Sequence, residues 1–294
     1  MIRLAVISGK GGTGKTMITA ALAQLLKGSL VLADCDVDAA NLELLLSPKL
    51  IRTVPFMGMK CAVIDPALCV QCGECESRCR FGAVERDEET YRVNPLHCEG
   101  CAVCAYACPA SAVTMQPRQT GEIMCSDTER GHLVHARLVP GAGNSGLLVH
   151  EVKKTAMAQD GDRDLFLIDG PPGTGCPLIS TISGVNAVLV VTEPSVSGLH
   201  DLKRVVRVCR QFRPRILVAI NRFDLDTFQA GEIEVWCRAE NIPLIGKIPF
   251  DPAVINSVRE GIPVTQAGTS PATQAIQILA ANLKQELKHL GNQQ

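Results

Sequence analysis

The residues best equipped for chemistry fall into three groups. The first is Gly9-Lys10-Gly11-Gly12-Thr13-Gly14-Lys15-Thr16. Its glycines leave successive backbone N–H groups free to turn onto phosphate oxygens, Lys15 can reach the outer phosphates, and the Thr16 hydroxyl suits a Mg²⁺ ion. The second group is acidic: Asp34, Asp36 and Asp38 stand close together, and Asp169 follows the apolar run Leu165-Phe166-Leu167-Ile168. Carboxylates gathered at strand ends are costly unless a cation is near. The third is sulfur. Eight of the fourteen cysteines lie between Cys69 and Cys108, as Cys69-x2-Cys72-x2-Cys75-x3-Cys79 and Cys98-x2-Cys101-x2-Cys104-x3-Cys108-Pro109.

Each group needs elements to hold it. An apolar strand over residues 2–7 and a helix over 17–27 flank the glycine-rich turn, which is the setting of a phosphate-binding P-loop. Residues 29–33 form a second buried strand ending at Asp34, and a helix follows over 41–46, for whose start Asp38 is a better cap than Asp34 or Asp36. A strand over 164–168 ends at Asp169, the Walker B position that contacts the Mg²⁺ shell through water. The following Gly170-Pro171-Pro172-Gly173-Thr174-Gly175 is backbone that an outer phosphate could hold in alternative shapes. Residues 144–158 read as a helix, 186–192 as a strand, 199–212 as a helix, and 215–220 as a strand ending at Asn221. Residues 119–140, with His132 and His135, alternate like a strand and serve as a connector back to the sheet. Short apolar strands alternating with helices define the fold class: α/β, a mostly parallel doubly wound P-loop NTPase sheet.

Composition changes abruptly over residues 56–118. Every cysteine of the first run has a copy 29 residues later, and Pro66/Pro95, Ala83/Ala112 and Val84/Val113 repeat at the same offset. Zinc is one metal that CxxC pairs suit. Four thiolates spaced 2-2-3, twice over, favour a pair of 4Fe-4S clusters and a small inserted α+β domain of the two-cluster bacterial ferredoxin type. In that type the fourth cysteine of each run ligates the other cluster. The resemblance therefore implies Cys69, Cys72, Cys75 and Cys108 on one cluster, and Cys98, Cys101, Cys104 and Cys79 on the second. Arg80 stands where proline usually follows, a charge beside a thiolate that could raise the potential. The expected domains are 1–55 with 119–294, and the insert 56–118.

The loop KGGTGKT, with its additional Lys10, the DCD stretch at Asp34 to Asp36 and the GPPGTG segment after Asp169 together resemble the MinD/ParA/Mrp group of P-loop ATPases. That resemblance implies ATP and Mg²⁺ as cofactors and a Mg-dependent ATPase activity that is slow without a partner. It also implies a homodimer formed on ATP binding, or a heterodimer with a related ATPase, in which Lys10 reaches the partner's nucleotide. By the same resemblance Asp34 helps hold the Mg²⁺ shell, Asp36 orients the attacking water, Asn221 faces the adenine, and the loop containing Pro249 and Asp251 closes over it. Cys176, seven residues after Asp169, matches a cluster-ligating cysteine of the nitrogenase iron protein, with Cys125 the other available thiol; a packed thiol is the alternative.

Nearly the whole chain is similar to MinD-superfamily ATPases with an inserted ferredoxin. Such proteins commonly accompany factors resembling those of iron–molybdenum cofactor biosynthesis, which implies a redox or metallocofactor-assembly partner. The expected function is nucleotide-gated electron transfer. The alternative is a Mrp-type cluster scaffold or carrier, weakened because no CxxC occurs outside the cysteine-rich segment. A third reading, a positioning ATPase, needs a DNA-binding face or membrane anchor. A net charge of −1 argues against nucleic acid, and the helix at 272–290, with no aromatic residue, argues for packing rather than a stable membrane anchor. With no charged-then-apolar leader before the first strand, the expected location is the cytoplasm, where fourteen cysteines suit metal better than disulfides.

Overall fold

The computed structural model describes residues 1–87, 90–159 and 163–291. Two compact units divide the chain: Met1–Thr53, Ile123–Arg137 and Ser145–Gln294 form the first, and Val54–Glu122 with Leu138–Asn144 the second. The second unit therefore takes in 138–144, which the expected domain bounds place with 119–294.

In chain order the elements are β1 (Ile2–Ser8), α1 (Lys15–Leu25), β2 (Leu30–Asp34), α2 (Leu42–Leu46), β3 (Lys49–Met57), β4 (Cys61–Ile64), α3 (Glu74–Ser77), β5 (Val84–Asp87), β6 (Thr90–Val93), α4 (Val103–Ala107), β7 (Val113–Gln116), β8 (Gln119–Thr128), β9 (Gly131–Leu138) and α5 (Ser145–Met157). There follow β10 (Leu165–Pro172), α6 (Cys176–Ile182), β11 (Ala187–Thr192), α7 (Val196–Phe212), β12 (Arg215–Asn221), α8 (Thr227–Ala239), β13 (Leu244–Ile248), α9 (Pro252–Glu260) and α10 (Pro271–Gly291).

The large sheet runs β13-β12-β11-β1-β10-β2-β9-β8-β3. Its central strands are parallel, with β1 between β10 and β11. Both faces are covered, so β1 is apolar at nearly every position rather than alternating. Leu4 and Val6 join the layer of α1 and α10, where Ile18, Leu22, Ile276 and Leu283 are fully buried. The other face carries Ile7, beside Thr181 of α6. This is the doubly wound arrangement predicted, and strand order reverses on either side of β1, which puts the turn after β1 at a switch point. Where the sequence suggested one connector strand over 119–140, there are two, β8 and β9. The turn falls at 129–130, and Gly131, which opens β9, has a φ of +133° and a tight approach to the Leu30 carbonyl that exclude a side chain. Among the described residues no helix is long and apolar enough to cross a membrane.

A buried lysine fastens α5 to α6. Lys153 Nζ donates to the carbonyls of Ser180, Thr181 and Ser183, each at 2.7 Å, matching three donors to three otherwise orphaned carbonyls at the end of α6. At the other end of the pair, Gly146 lies against Cys176, where a Cβ would sit 3.2 Å from the cysteine Cβ.

In the second unit the 29-residue repeat governs structure as well as sequence. Adding 29 to β4, α3 and β5 gives β6, the first four residues of α4, and β7. The pairing is crosswise: β4 pairs antiparallel with β7, and β5 with β6, so each two-stranded sheet takes one strand from each half. Left-handed backbone repeats too, at Gln71 and Gly100, Gly73 and Ala102, Gly82 and Ser111.

Candidate functional site

The loop between β1 and α1 closes around Gly14, which adopts φ +90° with its Cα facing Asn221: a Cβ there would lie 2.4 Å from Asn221 Nδ2. Asn221, at the end of β12 and 4% exposed, donates from Nδ2 to the Thr13 carbonyl at 2.8 Å and accepts the Arg222 N–H at 3.1 Å. Its amide braces the loop from behind. Gly11 and Gly12 have no atoms within 4 Å of where a Cβ would be, so the front of the loop is open backbone. That is a cradle of the kind phosphates occupy.

Below the loop, three carboxylates surround one ammonium group. Lys15 Nζ pairs with Asp36 Oδ2 at 2.6 Å. Asp169 is fully buried and takes the Thr16 hydroxyl on Oδ2 at 2.6 Å and the Thr19 hydroxyl on Oδ1 at 2.9 Å. Burial pushes Asp169 above the usual carboxylate range, against the opposing pull of Lys15 and the two hydroxyls. Burial and then the neighbouring Asp169 push Asp34 up to about 8. Burial works to lower Lys15, but Asp169, Asp36 and Asp34 outweigh it and raise it. The pocket holds more carboxylate than ammonium, a surplus that a divalent cation beside Thr16 and Asp169 would neutralise. The donors present, hydroxyl and carboxylate oxygens, are those Mg²⁺ prefers.

Asp34, not Asp38, holds the start of α2. Its Oδ2 accepts the N–H groups of Asn41 and Leu42 at 3.1 and 3.0 Å, and Oδ1 that of Asp36 at 3.0 Å. The expectation failed because residues 35–41 loop back, bringing the helix start to the strand end it had left. Asp38 instead lines the phosphate cleft.

That cleft, about 1500 Å³, is lined by Gly11, Gly12, Gly14, Lys15, Thr16, Asp36, Asp38, Pro171 and Pro172 among others. A neighbouring pocket of about 790 Å³ is lined by Asn221, Arg222, Pro249, Phe250, Asp251, Ile255 and Arg259, and shares Gly14, Met17 and Val258 with the cleft. Phosphate and base compartments of a nucleotide would suit the pair. Asp251 has a second employment: it caps α9 through Ala253 N–H at 2.9 Å and α10 through Ala272 N–H at 3.0 Å. The bond from Ala272, then that from Ser270, holds its carboxyl below the usual range. Lys10 is turned to the rim, paired with Glu193 and donating to Ser197 Oγ at 3.3 Å, while Gly9 packs against Asp201. Thr19, Glu193, Arg222 and Arg259 were missed from sequence. Thr19 alone had a signal, being one helical turn beyond Thr16 on a helix that faces Asp169.

In the second unit, Cys69, Cys72, Cys75 and Cys108 line one small cavity. Cys79, Cys98, Cys101 and Cys104 line another. Each cavity thus takes three cysteines from one run and the fourth from the other. Cys79 Sγ accepts the Ala83 N–H at 3.4 Å and Cys108 Sγ the Ala112 N–H at 3.3 Å, the same bond in both halves. Burial works to raise Cys79, yet N–H groups of Ala83, Phe81, Val84 and Gly82 hold it below the usual thiol value. Donors aimed at sulfur favour thiolate, the ligating form. Among the described residues no three His, Cys, Asp or Glu side chains converge to grip a single metal ion. The thiols group four and four, and their chemistry fits iron–sulfur ligation. Cys176 is exposed at the start of α6, whereas Cys125 is buried.

Comparison with known proteins gives consistent results. Residues 4–264 match the family described as CobQ/CobB/MinD/ParA nucleotide binding domain. An uncharacterized protein of Methanocaldococcus jannaschii is 31% identical over 76% of this chain and 78% of its own length. An iron-sulfur cluster carrier protein of Pyrococcus furiosus is 27% identical over 44% of this chain and 48% of its own. Among solved structures, the septum site-determining protein MinD from Pyrococcus horikoshii, complexed with Mg-ADP, superposes with a TM-score of 0.59 at 22% identity, covering 98% of each chain. With its glycine cradle, buried Asp169 and parallel sheet, the chain belongs to the CobQ/CobB/MinD/ParA family of P-loop nucleotide-binding proteins.

Proposed function

We propose that this protein is an ATP-hydrolysing iron–sulfur protein in which nucleotide-driven closure of a dimer gates electron transfer to a partner, in metallocofactor biosynthesis or anaerobic redox metabolism. The observation that carries the reading is the grouping of eight cysteines around two cavities, four and four, on the same chain as a P-loop. Cys69, Cys72, Cys75 and Cys108 would hold one 4Fe-4S cluster and Cys98, Cys101, Cys104 and Cys79 the other, and the pair would supply one-electron transfer. N–H donors hold Cys79 toward the thiolate, and hydrogen bonds to the sulfurs of Cys79 and Cys108 would tune the cluster potentials.

At the nucleotide site, the Gly11–Gly12 backbone and Lys15 bind and orient phosphates, Thr16 and Asp169 would hold Mg²⁺, and Asp36, released from Lys15 by phosphate, orients water. Lys10 exchanges Glu193 for a partner subunit's phosphates. Two segments linked to the second unit through the chain sense this change: residues 34–41, which lead through α2 toward residue 54, and residues 170–175, whose helix α6 is bolted by Lys153 to α5, the helix following residue 144. ATP acts by binding one arrangement more tightly than another.

The test is anaerobic purification with iron and sulfide quantification and EPR of the reduced protein. Two clusters per chain are expected in the wild type and one in the Cys72→Ser/Cys75→Ser variant. A stoichiometric zinc content in place of iron would overturn the reading. A second reading, cluster assembly and delivery, is favoured by the similarity to iron-sulfur cluster carrier proteins. Iron transfer from the loaded protein to an apo-acceptor, faster than release to a chelator, would select it.

A further inference from the structure

Ser126 and His135, both buried, and the half-buried Glu43 make a polar line that the nucleotide site does not use. Ser126 on β8 and His135 on β9 are each 2% exposed. His135 Nε2 lies 3.2 Å from Ser126 Oγ. On its other side, Nδ1 lies 3.1 Å from Glu43 Oε2 on α2, but off the line of a straight hydrogen bond, so no bond is made there. Arg137, also on β9, reaches the other oxygen of Glu43 at 3.3 Å. Buried polar groups are normally fully bonded, and one held within reach of a partner yet unbonded is sensitive to small shifts of that partner.

The partner is placed to shift. Glu43 is the residue after Leu42, whose N–H is held by Asp34. Asp34 also holds the N–H of Asp36, and Asp36 pairs with Lys15 under the phosphate cradle. Anything that draws Asp36 away from Lys15 pulls on the same turn that fixes α2, a helix of only five residues with little rigidity of its own. At the other end of the line, β8 is the strand by which the chain leaves the second unit at residue 122, and β9 the strand by which it returns to it at residue 138.

We propose that His135 is a positioning residue that reads the pose of α2 through Glu43 and passes it to β8 and β9, the strands through which the chain leaves and re-enters the second unit. The proposal rests on the reading above, since it needs nucleotide to move residues 34–41. A purely structural histidine would stabilise the fold without making β9 respond to nucleotide.

The experiment is hydrogen–deuterium exchange on the full chain with Mg-ATP, Mg-ADP or no nucleotide, for wild type, Glu43→Gln, His135→Gln and the double variant. Wild type should show ATP-dependent protection at residues 42–46 and at 131–144. Glu43→Gln should keep Mg-ATP affinity and the response at 42–46 but lose that at 131–144. His135→Gln should do the same, serving as the independent check if one variant folds poorly, and the double variant should be no worse than either single one, the mark of one shared interaction. An unchanged response at 131–144 in both single variants overturns the relay. A wild-type response at 42–46 without one at 131–144 overturns the relay and leaves the gating function standing. No wild-type response at 42–46 overturns both.

Discussion

Replacing Asn221 with alanine separates two roles that the structure combines in one side chain. Asn221 lines the pocket suited to a base, yet its amide is spent on the protein: Nδ2 on the Thr13 carbonyl at 2.8 Å and Oδ1 on the Arg222 N–H at 3.1 Å. Removing it leaves a buried carbonyl without a donor, a loss of about 1–3 kcal/mol, and frees the segment that Gly14 presses against the amide. The ligand must then order a loop that was ordered in advance. If the whole cost falls on binding, affinity drops by a factor of about 5 to 150. Isothermal titration with Mg-ATP and with Mg-tripolyphosphate, which has no base, distinguishes the roles. Loop bracing predicts that both ligands weaken by the same factor. An unchanged tripolyphosphate affinity beside weakened ATP would refute the bracing argument and return Asn221 to base recognition alone. Asn221→Asp should be the more damaging change, because it sets an acceptor against the Thr13 carbonyl.

Lys10→Ala should leave nucleotide affinity of the monomer nearly intact while abolishing ATP-dependent dimerisation, followed by light scattering, and slowing hydrolysis; full ATPase activity in that variant would exclude the crossing role. Lys153→Met should lower stability by more than about 2 kcal/mol in urea unfolding, because three carbonyls lose their donor at once. For His135, burial first and Arg137 next depress the imidazole below 6.5, against the opposing pull of Glu43. The unfolded chain then takes up a proton near pH 6.5 that the folded chain refuses, so stability contributed by neutral His135 falls as pH drops below about 6.5. Urea midpoints of wild type minus His135→Gln, followed from about pH 8 to pH 5, should decrease through that window.

The phosphate loop and the cysteine runs were legible because their chemistry demands residue types at fixed spacing. Gly14 must tolerate a positive φ, and a doubled 2-2-3 run needs no tertiary information to be noticed. The parallel strands were legible for a related reason: burial on both faces writes continuous apolar runs such as Leu4-Ala5-Val6-Ile7. What escaped depends on chain reversal. Nothing local says that residues 35–41 turn back far enough for Asp34 to cap α2, or that Asp251 caps two helices at once. Lys153 carries no local signal, because its three carbonyl partners lie 27 to 30 residues away. The His135 line joins three elements separated by up to 94 residues, as the Arg137–Glu43 contact shows, and no pattern within any one of them marks it.

If nucleotide state controls electron delivery, the rate of electron transfer itself must depend on it. Dithionite-reduced protein would be mixed anaerobically in a stopped-flow instrument with an oxidised haem protein as acceptor, with Mg-ATP, Mg-ADP or no nucleotide. The transfer rate with Mg-ATP should differ clearly from the other two, and the difference should be lost in Lys15→Ala. Equal rates under all three conditions would contradict nucleotide control.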